Sequence, residues 1–251
     1  MAEPLLQVEN VSKHFGGLRA VDGASLAAEQ GRITVVIGPN GAGKTTLFAM
    51  ITGFLRPTSG SIRYDSVDIT GEPPHRLARR GIARTFQIVQ PFPALTVREN
   101  IAVGSHLRHA KRADALAAAS ATGEAVGLGG QLDKPASALT VAGRKRLELA
   151  RALAIGPRLL LLDEVLAGLN PSEVRDMVPV IRGIAARGVT ILMIEHVMQA
   201  VMSLAETVYV LSEGRIIAQG RPQAIASDRL VVEAYLGRGA AAQMTEEAVH
   251  A

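Results

Sequence analysis

The stretch Ile33-Thr-Val-Val-Ile-Gly-Pro-Asn-Gly-Ala-Gly-Lys-Thr45 restricts this chain more than any other feature. Ile33–Ile37 is a continuous apolar run of the kind found in a strand buried on both faces. A glycine-rich loop follows, and Thr45–Thr52 reads as a helix. Gly38-Pro39-Asn40-Gly41-Ala42-Gly43-Lys44-Thr45 fits G-x-x-x-x-G-K-[ST] in the strand-to-helix context the pattern requires. Glycines let successive N–H groups turn inward as a nest for anions, and a helix N-terminus adds partial positive charge. Lys44 is expected to reach the β- and γ-phosphates of a nucleotide and the Thr45 hydroxyl to bind Mg²⁺, with Thr46 beside them.

Leu159-Leu-Leu-Leu-Asp163-Glu164 supplies what such a loop needs next. A buried strand carries two adjacent carboxylates to its C-terminal end, where open α/β sheets bind ligands. Asp163 is expected to hold Mg²⁺, and Glu164 to orient and polarise the attacking water. On its own, an apolar run ending in Asp-Glu also describes a strand that meets a charged surface loop. A third apolar strand ends at Ile194-Glu195-His196. A lone histidine there is usually structural, but beside a phosphate site its imidazole can hydrogen-bond the γ-phosphate and the water.

The rest of the chain reads as alternating strands and helices. Leu6–Val11, Ala24–Ala28 and Ser61–Tyr64 are early strands. Val189–Ile194 and Val208–Leu211 come late, and Glu213-Gly214 turns into Arg215–Gln219. Pro171 opens a helix over Glu173–Ala186. Such alternation predicts a mainly parallel sheet covered on both faces. Residues 88–151 differ: strand signals are few, and Ala113–Ala121 favours helix. They read as a helical subdomain inserted into an α/β core, and the tail 238–251 as frayed.

Composition narrows the class. Hydrophobic residues make up 48% of the 251, enough for a core, and there is no cysteine for a disulfide or thiolate site. No run reaches the ~18 apolar residues of a membrane-spanning helix; Val189–Ala205 is broken by Glu195, His196 and Gln199. The N-terminus lacks the pattern of a signal peptide. A soluble chain able to dock on a membrane protein is expected. The net charge of +4 is scattered, its densest cluster being His106-Leu-Arg-His-Ala-Lys-Arg112. Three Tyr and no Trp argue against base-stacking platforms, so no nucleic-acid partner is expected.

With these motifs in place, the sequence resembles the ATP-binding subunits of ABC transporters from about Leu5 to Gly237. The resemblance implies a P-loop NTPase cassette of the α/β class, with a mainly parallel core, a small antiparallel β subdomain and the inserted helical subdomain, over residues 1–237. It implies ATP and Mg²⁺ as cofactors. It aligns Phe15 with the aromatic that stacks on adenine, although Phe15 also reads as a core residue. It aligns Gln87, in Arg84-Thr-Phe-Gln87, with a glutamine that touches Mg²⁺ and reports to the membrane subunits. Leu139-Thr140-Val141-Ala142-Gly143 occupies the signature that closes over the ATP of a second subunit. The usual form is Leu-Ser-Gly-Gly-Gln. Thr140 keeps a hydroxyl, whereas Ala142 replaces a glycine, which is tolerated if the backbone there does not need φ > 0. Asn170, in Ala167-Gly-Leu-Asn170, stands where many relatives have Asp in the D-loop. Val165 replaces a common proline.

Within that family the finer resemblance is to the larger ATPase of branched-chain amino-acid importers. Phe15-Gly-Gly-Leu-Arg-Ala-Val21, Ile51-Thr-Gly-Phe-Leu-Arg-Pro-Thr-Ser-Gly60, Ile194-Glu-His196 and Glu233-Ala-Tyr-Leu-Gly237 carry it. It implies as partners a second ATPase subunit, identical or homologous, and two transmembrane permease subunits. A periplasmic or extracellular binding protein would join indirectly, and the place of work would be the cytoplasmic membrane face. Urea and short-chain amide importers use very similar subunits, so the substrate stays open between these. A lipopolysaccharide-export ATPase would carry Asp-His in place of Glu195-His196. A cassette protein working on ribosomes or DNA would usually have two cassettes or long arms.

Overall fold

The computed structural model describes residues 4–86 and 90–236. β1 (Leu6–Phe15) and β2 (Leu18–Ala28) pair antiparallel across the Gly16-Gly17 turn. β3 (Ile33–Ile37), buried throughout, runs through the glycine loop into α1 (Lys44–Ile51). β4 (Ser59–Tyr64) returns beside β1 and turns into the short β5 (Val67–Asp68), closing a small antiparallel sheet ordered β2-β1-β4-β5. β1 and β2 are longer than the sequence predicts, because hairpin pairing carries their exposed polar ends out to Phe15 and Leu18.

α2 (Pro74–Arg80) and β6 (Ile82–Arg84) follow. α3 (Val97–Ser105), α4 (Arg112–Ala125) and α5 (Val141–Leu153) come next, with no strand before β7 (Leu159–Asp163) among the described residues. In α4, Ala115, Ala119 and Gly123 face inward four residues apart, so the alanine-rich run forms a helix that packs closely by its small side chains. The chain then alternates regularly: α6 (Pro171–Ala186), β8 (Thr190–Ile194), α7 (Met198–Leu204), β9 (Thr207–Ser212), β10 (Arg215–Gly220), α8 (Pro222–Ala226) and α9 (Arg229–Leu236). The large sheet is ordered β10-β9-β3-β8-β7-β6 and is parallel except for β10. The expected tail 238–251 lies outside the described residues.

The large sheet divides the core in two. Val35 and Ile37 of β3, with Leu160 and Leu162 of β7, face the cluster that holds α5, α6 and α7. Val36, Leu159 and Leu161 face the other cluster, with Leu47 and Phe48 of α1 and the antiparallel sheet. Each fully buried leucine of β7 contributes about 1.5–3 kcal/mol relative to exposure, and truncating one to Ala costs about 2–5 kcal/mol. On α6, Val174, Met177, Ile181 and Ile184 make the buried stripe, at helical spacing. No helix among the described residues is long and apolar enough to cross a membrane.

Candidate functional site

The loop after β3 owes its shape to glycine at two close approaches. Gly38 (φ 152°) passes the Leu211 carbonyl and Gly43 (φ 102°) passes the Ala20 carbonyl, so a Cβ at either would collide with backbone oxygen. Gly43 is the N-cap of α1, and its left-handed backbone aims the loop's amides across the helix end. The β9–β10 turn braces the loop, with Gly214 donating to the Ala42 carbonyl at 3.0 Å. Lys44 lies within its own loop: Nζ donates to the carbonyls of Gly38 (2.7 Å) and Pro39 (2.9 Å). Burial lowers its pKa, while Glu164 and Asp163 act in the opposite direction.

A cleft of about 650 Å³ opens over residues 40–46, and Phe15 and Glu164 both line it. Phe15 is 47% exposed, which rules out the core reading of that ring. The Lys13 ammonium lies 5.3 Å from its centroid. The ring offers the cleft a flat apolar face of the kind on which nucleobases stack.

β7 brings Asp163 level with Ile194 of β8, at the same sheet edge as the glycine loop. Asp163 is 2% exposed. Its Oδ2 accepts from Arg84 Nη2 at 2.6 Å, and its N–H donates to Thr85 Oγ1 at 3.1 Å. Its Oδ1 is buried without a hydrogen-bond partner. Thr45 and Asp163 line one cavity of about 560 Å³. A bare carboxylate oxygen beside a hydroxyl fits Mg²⁺, which takes few protein oxygens and completes its shell with water and phosphate.

Glu164 has φ 49°, a left-handed conformation uncommon for a residue with a side chain. Its N–H donates to Ile194 O at 3.0 Å, and its carbonyl accepts from Ala167 N–H and Lys145 Nζ, both at 3.1 Å. Those bonds hold the turn that points the side chain toward the loop.

Glu195 was given no structural or catalytic role from sequence. It is 1% exposed, and its two oxygens accept from the N–H groups of Leu166 (2.9 Å) and His196 (3.3 Å). Burial raises its pKa. It ties the turn after Glu164 to the start of the segment holding His196. The available signal was a carboxylate continuing an apolar strand without a break. His196 is exposed just beyond β8 and is not among the residues lining the 650 Å³ cleft.

The signature residues stand apart from this chain's own cleft. Thr140 N-caps α5, its Oγ1 accepting from Gly143 N–H at 3.2 Å. Val141 is exposed, and Thr140, Val141, Ala142 and Gly143 line neither cavity at the loop. Ala142 sits in right-handed helix, so its methyl imposes no backbone strain. Asn170 N-caps α6, accepting from Ser172 N–H (2.9 Å) and Glu173 N–H (3.0 Å) while Glu173 caps it in return. Gln87 lies outside the described residues. On α5, Glu148 accepts from the Phe86 N–H and Arg151 donates to the Gln90 carbonyl at 3.1 Å. Burial raises the pKa of Glu148.

An anion nest at a helix N-terminus, a lysine folded into it and a strand-end Asp-Glu pair facing it define a nucleotide-hydrolysing P-loop protein. Comparison with known proteins narrows the class. The profile of the ABC transporter family matches residues 21–167, and that of the branched-chain amino acid ATP-binding cassette transporters matches residues 215–241. The high-affinity branched-chain amino acid transport ATP-binding protein BraF of Pseudomonas aeruginosa is 39% identical over 94% of this chain and 99% of its own length. The corresponding LivG of Escherichia coli strain K12 is 38% identical over 94% of this chain and 99% of its own. The solved structure of a nucleotide-free ATP-binding cassette from an ABC transporter superposes with TM-score 0.86 at 34% identity, covering 94% of this chain and all of that one. The chain belongs to the ABC transporter ATP-binding family.

Proposed function

We propose that this chain is the ATP-hydrolysing subunit that energises an importer of branched-chain amino acids. The observation that carries the catalytic part is the placement of two adjacent carboxylates at the end of β7, Glu164 lining the cleft with the Lys44 loop and Asp163 lining the cavity with Thr45. The substrate class rests on likeness over nearly the full length to relatives named for branched-chain amino acid transport.

Phe15 stacks on adenine, and residues 38–46 wrap the phosphates with their amides. Lys44 exchanges two loop carbonyls for phosphate oxygens, a stronger, charge-assisted pairing. Thr45 and Asp163 would hold Mg²⁺, with Gln87 as a further ligand candidate. The metal, when bound, neutralises charge on the phosphate oxygens. Glu164 orients the attacking water and accepts its proton, and His196 comes to the γ-phosphate from the end of β8.

Because the signature residues 140–143 lie away from their own chain's cleft, they serve the ATP of a second ATPase subunit, identical or homologous, with Asn170 at the shared boundary. Residues 88–151 act as the subdomain that passes this closure to two permease subunits at the cytoplasmic membrane face. An external binding protein delivers the substrate.

The test is uptake of labelled leucine, isoleucine and valine, with urea alongside, in cells lacking the chain. Rescue by the intact chain but not by Glu164→Gln is expected. Normal entry of the three amino acids with loss of urea uptake would overturn the substrate class and leave the ATPase reading standing.

A further inference from the structure

Arg84 is a largely covered cation, its side chain 9% exposed, that has no part in the reading above although it lines the cavity shared by Thr45 and Asp163. It ends β6, the edge strand of the large sheet, level with Leu161 of β7. Nη2 donates to Asp163 Oδ2 at 2.6 Å and Nη1 to Thr52 Oγ1 at 3.4 Å. The guanidinium lies 5.9 Å from the Phe48 ring centroid and 5.5 Å from that of Phe86. Thr52 is itself fixed, its hydroxyl donating to the Phe48 carbonyl at 2.6 Å. The fork is therefore held by two acceptors and two rings, so its direction is set before any ligand arrives.

Asp163 has two carboxylate oxygens, and this arrangement gives them different work. Oδ2 is engaged by the fork. Oδ1 is buried and has no hydrogen-bond partner, so it is the oxygen of Asp163 with its full acceptor capacity still open. The backbone N–H of Asp163 donates to Thr85 Oγ1, which fixes the main chain from which the carboxylate projects, and the Arg84 fork is what restrains the carboxylate itself.

We propose that Arg84 is a positioning residue for the metal site: it holds Asp163 by one oxygen so that the other faces the cavity it shares with Thr45. This rests on the reading of Asp163 as a Mg²⁺ ligand. A partner that orients a metal-binding carboxylate typically matters by 10–100-fold in metal affinity. Lysine in place of Arg84 keeps the charge but has neither the planar fork nor the flat face that stacks on rings. Arg84→Lys thus isolates orientation from electrostatics.

The experiment uses the full chain and trinitrophenyl-ATP fluorescence, first in EDTA and then with Mg²⁺ titrated in. For Arg84→Lys, affinity in EDTA is expected within about twofold of the parent, with the Mg²⁺ midpoint raised about tenfold. Phe86→Leu removes the half-exposed ring beside the guanidinium, with its edge contact to Phe54, and is expected to move the midpoint the same way by about two- to threefold. It decides the matter alone if Arg84→Lys does not fold. An unchanged midpoint overturns the proposal. So does an affinity loss equal in EDTA and in Mg²⁺, which would make Arg84 merely a support of the fold. Asp163→Asn is run in parallel: a parental midpoint there removes the metal role of Asp163, and the proposal with it.

Discussion

Replacing Glu164 separates two properties that ordinary substitutions change together. Its φ of 49° is enforced by bonds to Ile194, Ala167 and Lys145 that involve only its backbone, so the conformation outlasts the side chain. A left-handed backbone costs an L-residue about 1–2 kcal/mol, and glycine is spared this. Glycine gives back about 0.5–1 kcal/mol through the greater freedom of its unfolded chain. The difference leaves Glu164→Gly more stable than Glu164→Ala by about 0.5–1 kcal/mol, or about 1–4 °C in Tm for a chain of this size. Neither variant keeps the carboxylate, so hydrolysis falls by about 10²–10⁴-fold in both, as in Glu164→Gln, while ATP binding persists. Thermal unfolding and phosphate release on the same preparations check both halves. An Ala variant as stable as the Gly variant would refute the strain argument. Turnover at the parental rate in any of the three would refute the role given to the carboxylate.

Three further outcomes are expected. Gly43→Ala forces a Cβ onto the Ala20 carbonyl at a left-handed position, a strain of about 1–3 kcal/mol, and should weaken ATP binding at least about tenfold in a direct titration. Asn170→Ala removes the α6 cap and should lower stability in urea by about 1 kcal/mol, whereas Asn170→Asp should stay within a few tenths. Burial raises the pKa of Glu148, so between the ordinary carboxylate range and its raised folded value the native state binds more protons than the unfolded state. Its contribution therefore falls as pH rises through that window, and Glu148→Gln should flatten the decline; identical pH slopes for both proteins would contradict this.

The parts of the fold that sequence revealed are those whose signal is local. Ile33–Ile37, Leu159–Leu162 and Val189–Ile194 are apolar runs because both faces of those strands are covered. The glycine pattern at residues 38–43 is a backbone requirement legible without partners. β6 was not foreseen: Ile82–Arg84 is three residues long and is a strand only because β7 lies beside it. α2 escaped for a similar reason, since Leu77 is its single buried residue and no apolar period marks it. At the site, the carboxylates and the lysine were legible by type and spacing. Arg84 and Glu195 stood only inside stretches that carry the resemblance and were given no role, because a charged residue in sequence reads as surface, and the covering of their side chains depends on partners brought from Asp163, Leu166 and His196. Cap roles for Thr140 and Asn170 became visible only with the helix starts in place.

The four leucines of β7 pose a problem of alignment that hydrophobicity does not solve. A strand with one wet face is held in register because a slip of one residue would turn its apolar set outward. Here both faces are dry, and Leu159–Leu162 looks the same to either core after such a slip. Only the ends of the strand can tell the difference. At one end Arg158 and Leu159 both donate to the Gly81 carbonyl, and at the other Asp163 meets the Thr85 hydroxyl and the Arg84 fork. These polar contacts serve as the index marks of an otherwise featureless rod. Loosening them would leave a well-filled core with its carboxylates one notch from the place where they are needed.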